Sequence, residues 1–86
     1  MTTTPKILTV YATSKKACTP VNASYLIVRN RGDADVELSI ENGDSTDTFL
    51  LKPDEREKFG PSEYKRLCYR RADHNDTKVR LDVHAF

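Results

Sequence analysis

The residues most able to do chemistry in this 86-residue chain are its two cysteines and two histidines. Nucleophilic catalysis needs a thiol within hydrogen-bond reach of a base, and a third group that orients the base. Cys68 and His84 meet only if the last two strands are neighbours, and no third group is evident. Cys18 and His74 complete the set, but the four residues lack the spacing of a zinc site. We therefore expect no catalytic residue, no metal and no cofactor.

The cysteines also bear on the redox environment. Two are too few for the disulfide framework of a small secreted domain. Residues 1–6 lack the apolar stretch of a secretory signal, and no window approaches the roughly 18 apolar residues of a membrane helix. We expect unpaired thiols in a reducing compartment and no membrane partner, while whether Cys18 and Cys68 pair stays open.

Charge is distributed unevenly along the chain, although the formal net charge is only +1. Residues 1–30 carry a net +4, residues 31–63 carry −6 and residues 64–86 carry +3. Such a chain can present a basic face and an acidic face once it is folded. This layout suits association between copies, or docking on a larger charged assembly.

Apolar residues occur in short runs that are separated by turn residues, which indicates strands rather than helices. Residues 36–40 alternate apolar and polar side chains, as a half-buried strand does, and Asn42-Gly43 follows as a hairpin signal. Seven strands are predicted in this way, at residues 7–12, 25–29, 36–40, 48–51, 56–59, 65–71 and 78–86. The pattern predicts an all-β fold, a small antiparallel β-sandwich or jelly-roll-like barrel.

The length allows one domain only. We assign residues 1–6 to a flexible N-terminal arm, residues 7–86 to the domain and the polar segment 13–22 to a loop. Hairpins are predicted between the third and fourth strands and between the sixth and seventh. The predicted core consists of Leu8, Val10, Leu26, Val28, Val36, Leu38, Ile40, Phe49, Leu51, Phe59, Leu67, Tyr69, Val79, Leu81 and Val83.

A basic surface is predicted on the last hairpin, where alternation turns four cations outward. Tyrosines elsewhere in the chain could stack on bases, as in small barrels that bind single strands. Asp82 interrupts the basic row, and the net charge is low for a nucleic-acid binder. Single-stranded nucleic-acid binding is therefore the weaker alternative, and its candidate residues are Arg66, Arg70, Lys78 and Arg80.

Arg31-Gly32-Asp33 spells a tripeptide that some cell-surface receptors bind. The same residue types favour a β-turn, and so short a motif arises often by chance. The sequence does not decide whether this segment is more than a turn.

From Tyr25 onward, the order of motifs resembles a family of small virion proteins of tailed bacteriophages. The shared pattern joins an apolar strand with an RN-x-G turn, an alternating strand, a hydrophobic-Lys-Pro-Gly-Glu turn, an FGP step, a Leu/Tyr strand and a final Thr-x-Val strand. These motifs stand here as IVRNRG, VELSI, LLKPDE, FGP, LCYRRA and TKVRLDV, at residues 27–32, 36–40, 50–55, 59–61, 67–72 and 77–83. Asp54 stands where the pattern has Gly, and residues 1–24 lie outside the resemblance.

The resemblance implies a β-sandwich that assembles on a virion and has no catalytic residues. It implies first a capsid decoration or cement protein that docks on the assembled shell, and alternatively a tail, neck or fibre-associated protein. The expected partners are the major capsid protein or other virion proteins, together with further copies of the chain. The expected location is the virion, made in the host cytoplasm.

Two segments are predicted to contribute to docking. The arm that ends at Lys6 can add a strand to the sheet edge of a neighbour. The loop that follows the first strand carries Lys15 and Lys16 beside the arm. Asp33 and Asp35 would offer acid to these lysines on another copy.

Overall fold

Eight β-strands are formed by residues 6–43, 45–73 and 75–86, which are the residues described by the computed structural model. They are β1 (Lys6–Ala12), β2 (Ala17–Ala23), β3 (Leu26–Asn30), β4 (Val36–Asn42), β5 (Ser45–Leu51), β6 (Arg56–Phe59), β7 (Tyr64–Arg71) and β8 (Val79–Ala85). Within these ranges, no helix is long and apolar enough to cross a membrane.

The strands form two antiparallel sheets. Sheet A has the order β1-β8-β3-β6, and sheet B has the order β2-β7-β4-β5. Strand 1 therefore pairs with strand 8, 2 with 7, 3 with 6 and 4 with 5, which is the jelly-roll arrangement of two Greek keys. The predicted all-β fold is confirmed, with one strand more than the seven expected.

The additional strand is β2, which lies in the segment predicted to be a loop. Its sequence ACTPVNA lacks a clear alternation, and Val21 is its one fully buried side chain. Pro20 is accommodated because β2 is an edge strand that pairs only with β7. The loop prediction for residues 13–22 is thus wrong from Ala17 onward.

One predicted hairpin is confirmed and the other is wrong. The chain turns directly from β4 into β5 through Gly43, whose φ of 61° favours glycine. In contrast, β7 belongs to sheet B and β8 to sheet A, so the connection 72–78 crosses between the sheets. The turn residues of this connection are typical of a hairpin, but they do not determine which strands pair.

The core lies between the sheets and contains most of the predicted residues. Leu26, Leu38, Leu67 and Leu81 are fully buried. Leu8 and Val10 pack against the core and are only partly buried. Phe49 is 39% exposed, because it lies on edge strand β5. The prediction omitted the following buried residues: Ala12, Val21, Asn30, Ala34, Tyr64, Cys68, Arg71 and Ala85.

The two cysteines lie directly opposite each other on β2 and β7 and form a disulfide with an S–S distance of 2.06 Å. The expectation of unpaired thiols is therefore corrected. The bond ties edge strand β2 to the centre of sheet B across a sequence separation of 50 residues. Unpaired thiols were expected because two cysteines are too few for a disulfide framework and a reducing compartment was inferred.

The segment Arg31-Gly32-Asp33 is held from inside the protein. The fully buried Asn30 donates its side-chain amide to the carbonyls of Ala34 (2.8 Å) and Leu51 (3.1 Å). Its Oδ1 accepts the N–H of Gly32 at 2.9 Å. A Cβ at Gly32 would lie 2.5 Å from Val79, so only glycine fits this close approach. These contacts explain the tripeptide as part of a structural turn.

Candidate functional site

The outer surface of sheet A carries a concentration of basic side chains. In the antiparallel register, Arg29 on β3 lies opposite Asp82 on β8 and Arg56 on β6. Asp82 is the one acidic residue among the outward positions of the four strands. The cations of this surface, which we call the basic face, are Arg29, Arg31, Arg56, Lys58, Lys78 and Arg80.

A cleft of about 270 Å³ lies in the middle of the basic face. We call it the arginine cleft, and its lining consists of Ile27, Arg29, Arg31, Arg56, Asp82 and His84. Three strands carry these side chains, β3 and β8 at the centre of the sheet and β6 at its edge, except for Arg31, which lies in the loop that follows β3. Because neighbouring strands are about 4.8 Å apart, residues distant in the sequence come together here.

The guanidinium groups around the cleft outnumber the carboxylates. Asp82 is shared, with its oxygens 3.1 Å from Nε of Arg80 and 3.8 Å from Nε of Arg31. Arg29 reaches the largely exposed Asp54 through Nη2 at 3.2 Å, while its buried Nε has no hydrogen-bond partner within the described residues. Arg56 forms no ion pair in the described ranges. The cleft thus keeps a positive charge and unused donors, which favours an anionic ligand.

A second hollow, also of about 270 Å³, adjoins the arginine cleft. Its lining is more apolar and consists of Tyr25, Ile27, Lys58 and Phe86, so that Ile27 borders both spaces. We call it the aromatic hollow. Backbone hydrogen bonds fix its rim, because Phe86 donates its N–H to the carbonyl of Tyr25 at 2.9 Å and its own carbonyl accepts the N–H of Ser24 at 2.8 Å.

Lysines cover the exposed tyrosines of this surface. Nζ of Lys58 lies 5.3 Å from the ring centre of Tyr25. Nζ of Lys78 lies 5.8 Å from the ring centre of Tyr11 on β1, at the opposite edge of sheet A. Both distances fall within the range of a cation–π contact.

The outer surface of sheet B differs, because its charges are paired. Arg70 contacts both carboxylate oxygens of Glu37 at 3.3 Å, and Arg66 contacts Glu41. The hydrogen bond to Glu41 raises the pKa of Arg66. These pairs link neighbouring strands β7 and β4. This surface therefore offers less free charge than the basic face.

The predicted nucleic-acid surface is not formed. Arg66 and Arg70 project from sheet B, whereas Lys78 and Arg80 belong to the basic face of sheet A. The four residues were placed on one face because β7 and β8 were expected to pair, and they do not. For the same reason, Cys68 and His84 do not meet, and Cys68 is already in the disulfide.

The predicted docking residues are divided between the two ends of the sandwich. Lys6 is the first residue of β1, opposite Ala85, and residues 1–5 lie outside the described ranges. Lys15 and Lys16 follow the other end of β1, which corrects the expectation that they lie beside the arm. Whether they bind a partner stays a prediction.

Asp33 and Asp35 lie at the same end as Lys15 and Lys16. The carbonyl of Asp35 accepts the N–H of Ala72 at 3.0 Å, and the carbonyl of Thr13 accepts the N–H of Arg71 at 2.8 Å. Both loops are therefore attached to the end of β7. Acidic and basic loop residues share this end, so it does not form a surface of one sign.

The first carboxylate of the polar loop after β7, that of Asp73, has a structural role. Asp73 accepts hydrogen bonds from Nε (2.9 Å) and Nη2 (2.7 Å) of the buried Arg71. The Arg71 bonds, together with the N–H of Asn75, lower the pKa of Asp73 to about 2. In the described ranges, no three His, Cys, Asp or Glu residues are grouped to hold a metal ion. His74 lies outside these ranges.

No protein-family model matches the chain. No curated protein matches it either. Among solved structures, the fold is similar to hydroxypropylphosphonic acid epoxidase from S. wedmorenis in complex with fosfomycin, with a TM-score of 0.63 and 11% identity over 95% of this chain and 42% of that chain. It is also similar to the Drosophila melanogaster CENP-C cupin domain, with a TM-score of 0.60 and 8% identity over 92% of this chain and 57% of that chain.

The chain spans about half the length of these two structures. At such low sequence identity, the similarity shows a shared fold and carries no information about activity. The residues of the arginine cleft were not singled out from the sequence as a site. They come from three strands and the loop after β3, and only the strand order reveals that they are neighbours.

Proposed function

We propose that this chain is a non-catalytic structural protein of a tailed-bacteriophage virion, and specifically a capsid decoration protein that docks on the assembled shell. The observation that carries the proposal is the ordered set of motifs between residues 27 and 83. The motifs fall on β3, β4, the β5–β6 turn, the end of β6, β7 and β8, so each has a defined place in the fold.

Two physical features support the proposal. Jelly rolls serve as rigid building blocks in viral capsids, although the same architecture also occurs in cupins. The basic face gives the domain one surface of a single dominant charge, which favours oriented docking on a charged assembly. The major capsid protein is the partner we propose, with several copies of the chain on each particle.

Placement in the tail, neck or fibre is the alternative within the same class. It requires the same properties, namely a rigid domain with a charged docking surface. The two placements differ in copy number, since a shell offers many equivalent positions and a neck offers few.

Mass spectrometry of purified particles tests the proposal. Particles of the phage or prophage that encodes the chain are banded by density and washed, and heads are separated from tails. We expect peptides of this chain in the head fraction at a copy number comparable with that of the capsid protein. An abundant host cytosolic protein serves as the contamination control, and absence of the chain from washed particles would end the proposal. Recovery in the tail fraction alone would favour the alternative placement.

A further inference from the structure

We infer that the arginine cleft and the aromatic hollow together bind an acidic protein segment, with carboxylates in the cleft and an apolar side chain in the hollow. The inference names the docking surface of the proposed function and rests on that function for its natural partner. Three observations support it: the positive charge of the cleft, the spacing of side chains along β3, and the lysines that cover the tyrosine rings.

Charge points to an oxyanion ligand. Arg29, Arg31 and Arg56 surround a cleft in which Asp82 is the one carboxylate of the lining. Arg56 is exposed and forms no ion pair within the described residues, so its donors stay available to a ligand in the cleft. A guanidinium group matches a carboxylate in a bidentate geometry, and such pairs are stronger than neutral hydrogen bonds.

Spacing points to an extended peptide. Ile27 and Arg29 are alternate residues of β3 on the same face, so their side chains are about 7 Å apart. Ile27 borders the hollow and Arg29 lines the cleft. An extended segment repeats the same distance between its own alternate side chains. It can therefore place a carboxylate in the cleft and, two residues away, an apolar side chain in the hollow.

The side chains of this surface favour a protein partner over a nucleic acid. Tyr, Phe and Arg are the residues enriched at the centre of protein interfaces, and Ile7, Tyr11 and Phe86 are all exposed here. Single-stranded nucleic acid binds by stacking its bases on aromatic rings. Lys58 and Lys78 already occupy one face of the Tyr25 and Tyr11 rings, which leaves less room for bases.

The test is an NMR titration of the whole ¹⁵N-labelled chain with three probes. The first is a capped Glu-Gly-Phe-Gly-Glu peptide, the second is the corresponding Lys-Gly-Phe-Gly-Lys peptide, and the third is a short oligothymidylate. We expect the acidic peptide to shift the amide signals of β3, β6 and β8 around the cleft and of Tyr25 and Phe86. The basic peptide should shift none of them, and the oligothymidylate should bind more weakly than the acidic peptide.

Two double variants with the same change in net charge provide the control. Arg31→Gln with Arg56→Gln removes two cations of the cleft, and it should weaken peptide binding roughly tenfold. Lys52→Gln with Lys65→Gln removes two exposed cations that lie outside the basic face, and it should leave binding unchanged. If the first variant loses the dispersed spectrum of the parent, Arg56→Gln alone replaces it, because Arg56 forms no ion pair within the described residues.

Three results would overturn the inference: shifts that lie outside the basic face or are absent, equal losses in the two double variants, or tighter binding of the oligothymidylate. Failure here is distinguishable from failure of the virion proposal. A chain found in particles that binds no acidic peptide would dock through another surface. A chain absent from particles that still binds the peptide would have this site but a different partner.

Discussion

Two buried polar residues at one end of the sandwich, Asn30 and Arg71, hold the loops that surround them. Asn30 bonds to backbone groups on both sides of the β3–β4 turn. Arg71 bonds to Asp73 and donates from Nη1 to the carbonyl of Thr77 at 2.8 Å. Each side chain thereby bonds to groups of its neighbouring loop, which defines the loop conformations.

Stability should depend on the ionisation of Asp73 at acid pH. Its folded-state pKa of about 2 lies below the ordinary value of 3.8, so the folded protein binds this proton less readily than the unfolded chain does. The contribution is complete above about pH 5 and is lost as the pH falls through 3.8 towards 2. Urea unfolding between pH 6 and pH 2 should therefore show Asp73→Asn less stable than the parent at pH 6, with the difference shrinking at low pH.

The exposed Glu63→Gln provides the control for this series and should follow the parent throughout. If Asp73→Asn ran parallel to the parent over the whole range, the Arg71–Asp73 contact would have no role in acid stability. Alternation along β7 places Arg71 on the inward side with Leu67 and Tyr69, so its burial was predictable in principle. Its partners were not, because they come from loop conformation.

At the scale of the elements, the alternation of apolar and polar residues and the turn signals predicted the strands best where a strand has a neighbouring strand on both sides. Strands β3, β4, β7 and β8 lie in the interior of their sheets, and their apolar positions follow the pleat. Edge strand β2 was missed because one side of it faces no partner and its apolar residues are few. The prediction that β7 and β8 pair was wrong, because strand pairing depends on the whole topology and not on the turn that joins two strands.

An aromatic contact joins the two sheets at the edge of the sandwich where edge strands β5 and β6 lie. The rings of Phe49 on sheet B and Phe59 on sheet A are 4.6 Å apart with an interplanar angle of 52°. Phe49→Ala should lower the free energy of unfolding by about 2 kcal/mol, below the full cost of a buried phenylalanine because the ring is partly exposed. Chemical denaturation of the purified chain measures this value.

The next residue offers a matched control. Leu50 projects from the other side of β5 and is 51% exposed, so Leu50→Ala should cost roughly 0.5 kcal/mol. Equal losses in the two variants would mean that the Phe49–Phe59 contact does not close the sandwich.

At the scale of the whole molecule, charge separates the two outer surfaces. The uneven charge along the sequence predicted a basic and an acidic face, and the structure has a basic face on sheet A. On sheet B, the acids Glu37 and Glu41 are paired with Arg70 and Arg66, so that surface is balanced and not acidic. Which residues form the basic face was not predictable, because its arginines come from segments far apart in the sequence and meet only through the jelly-roll order.

The most direct test of the proposed docking role is co-sedimentation of the purified chain with particles of a phage whose genome lacks the gene for this chain. We predict saturable binding at a fixed number of copies per particle, with affinity that falls as the salt concentration rises because the proposed docking surface is basic. The Arg31→Gln, Arg56→Gln variant should bind more weakly than the Lys52→Gln, Lys65→Gln variant. A parent chain that stays in the supernatant at every concentration would contradict the account.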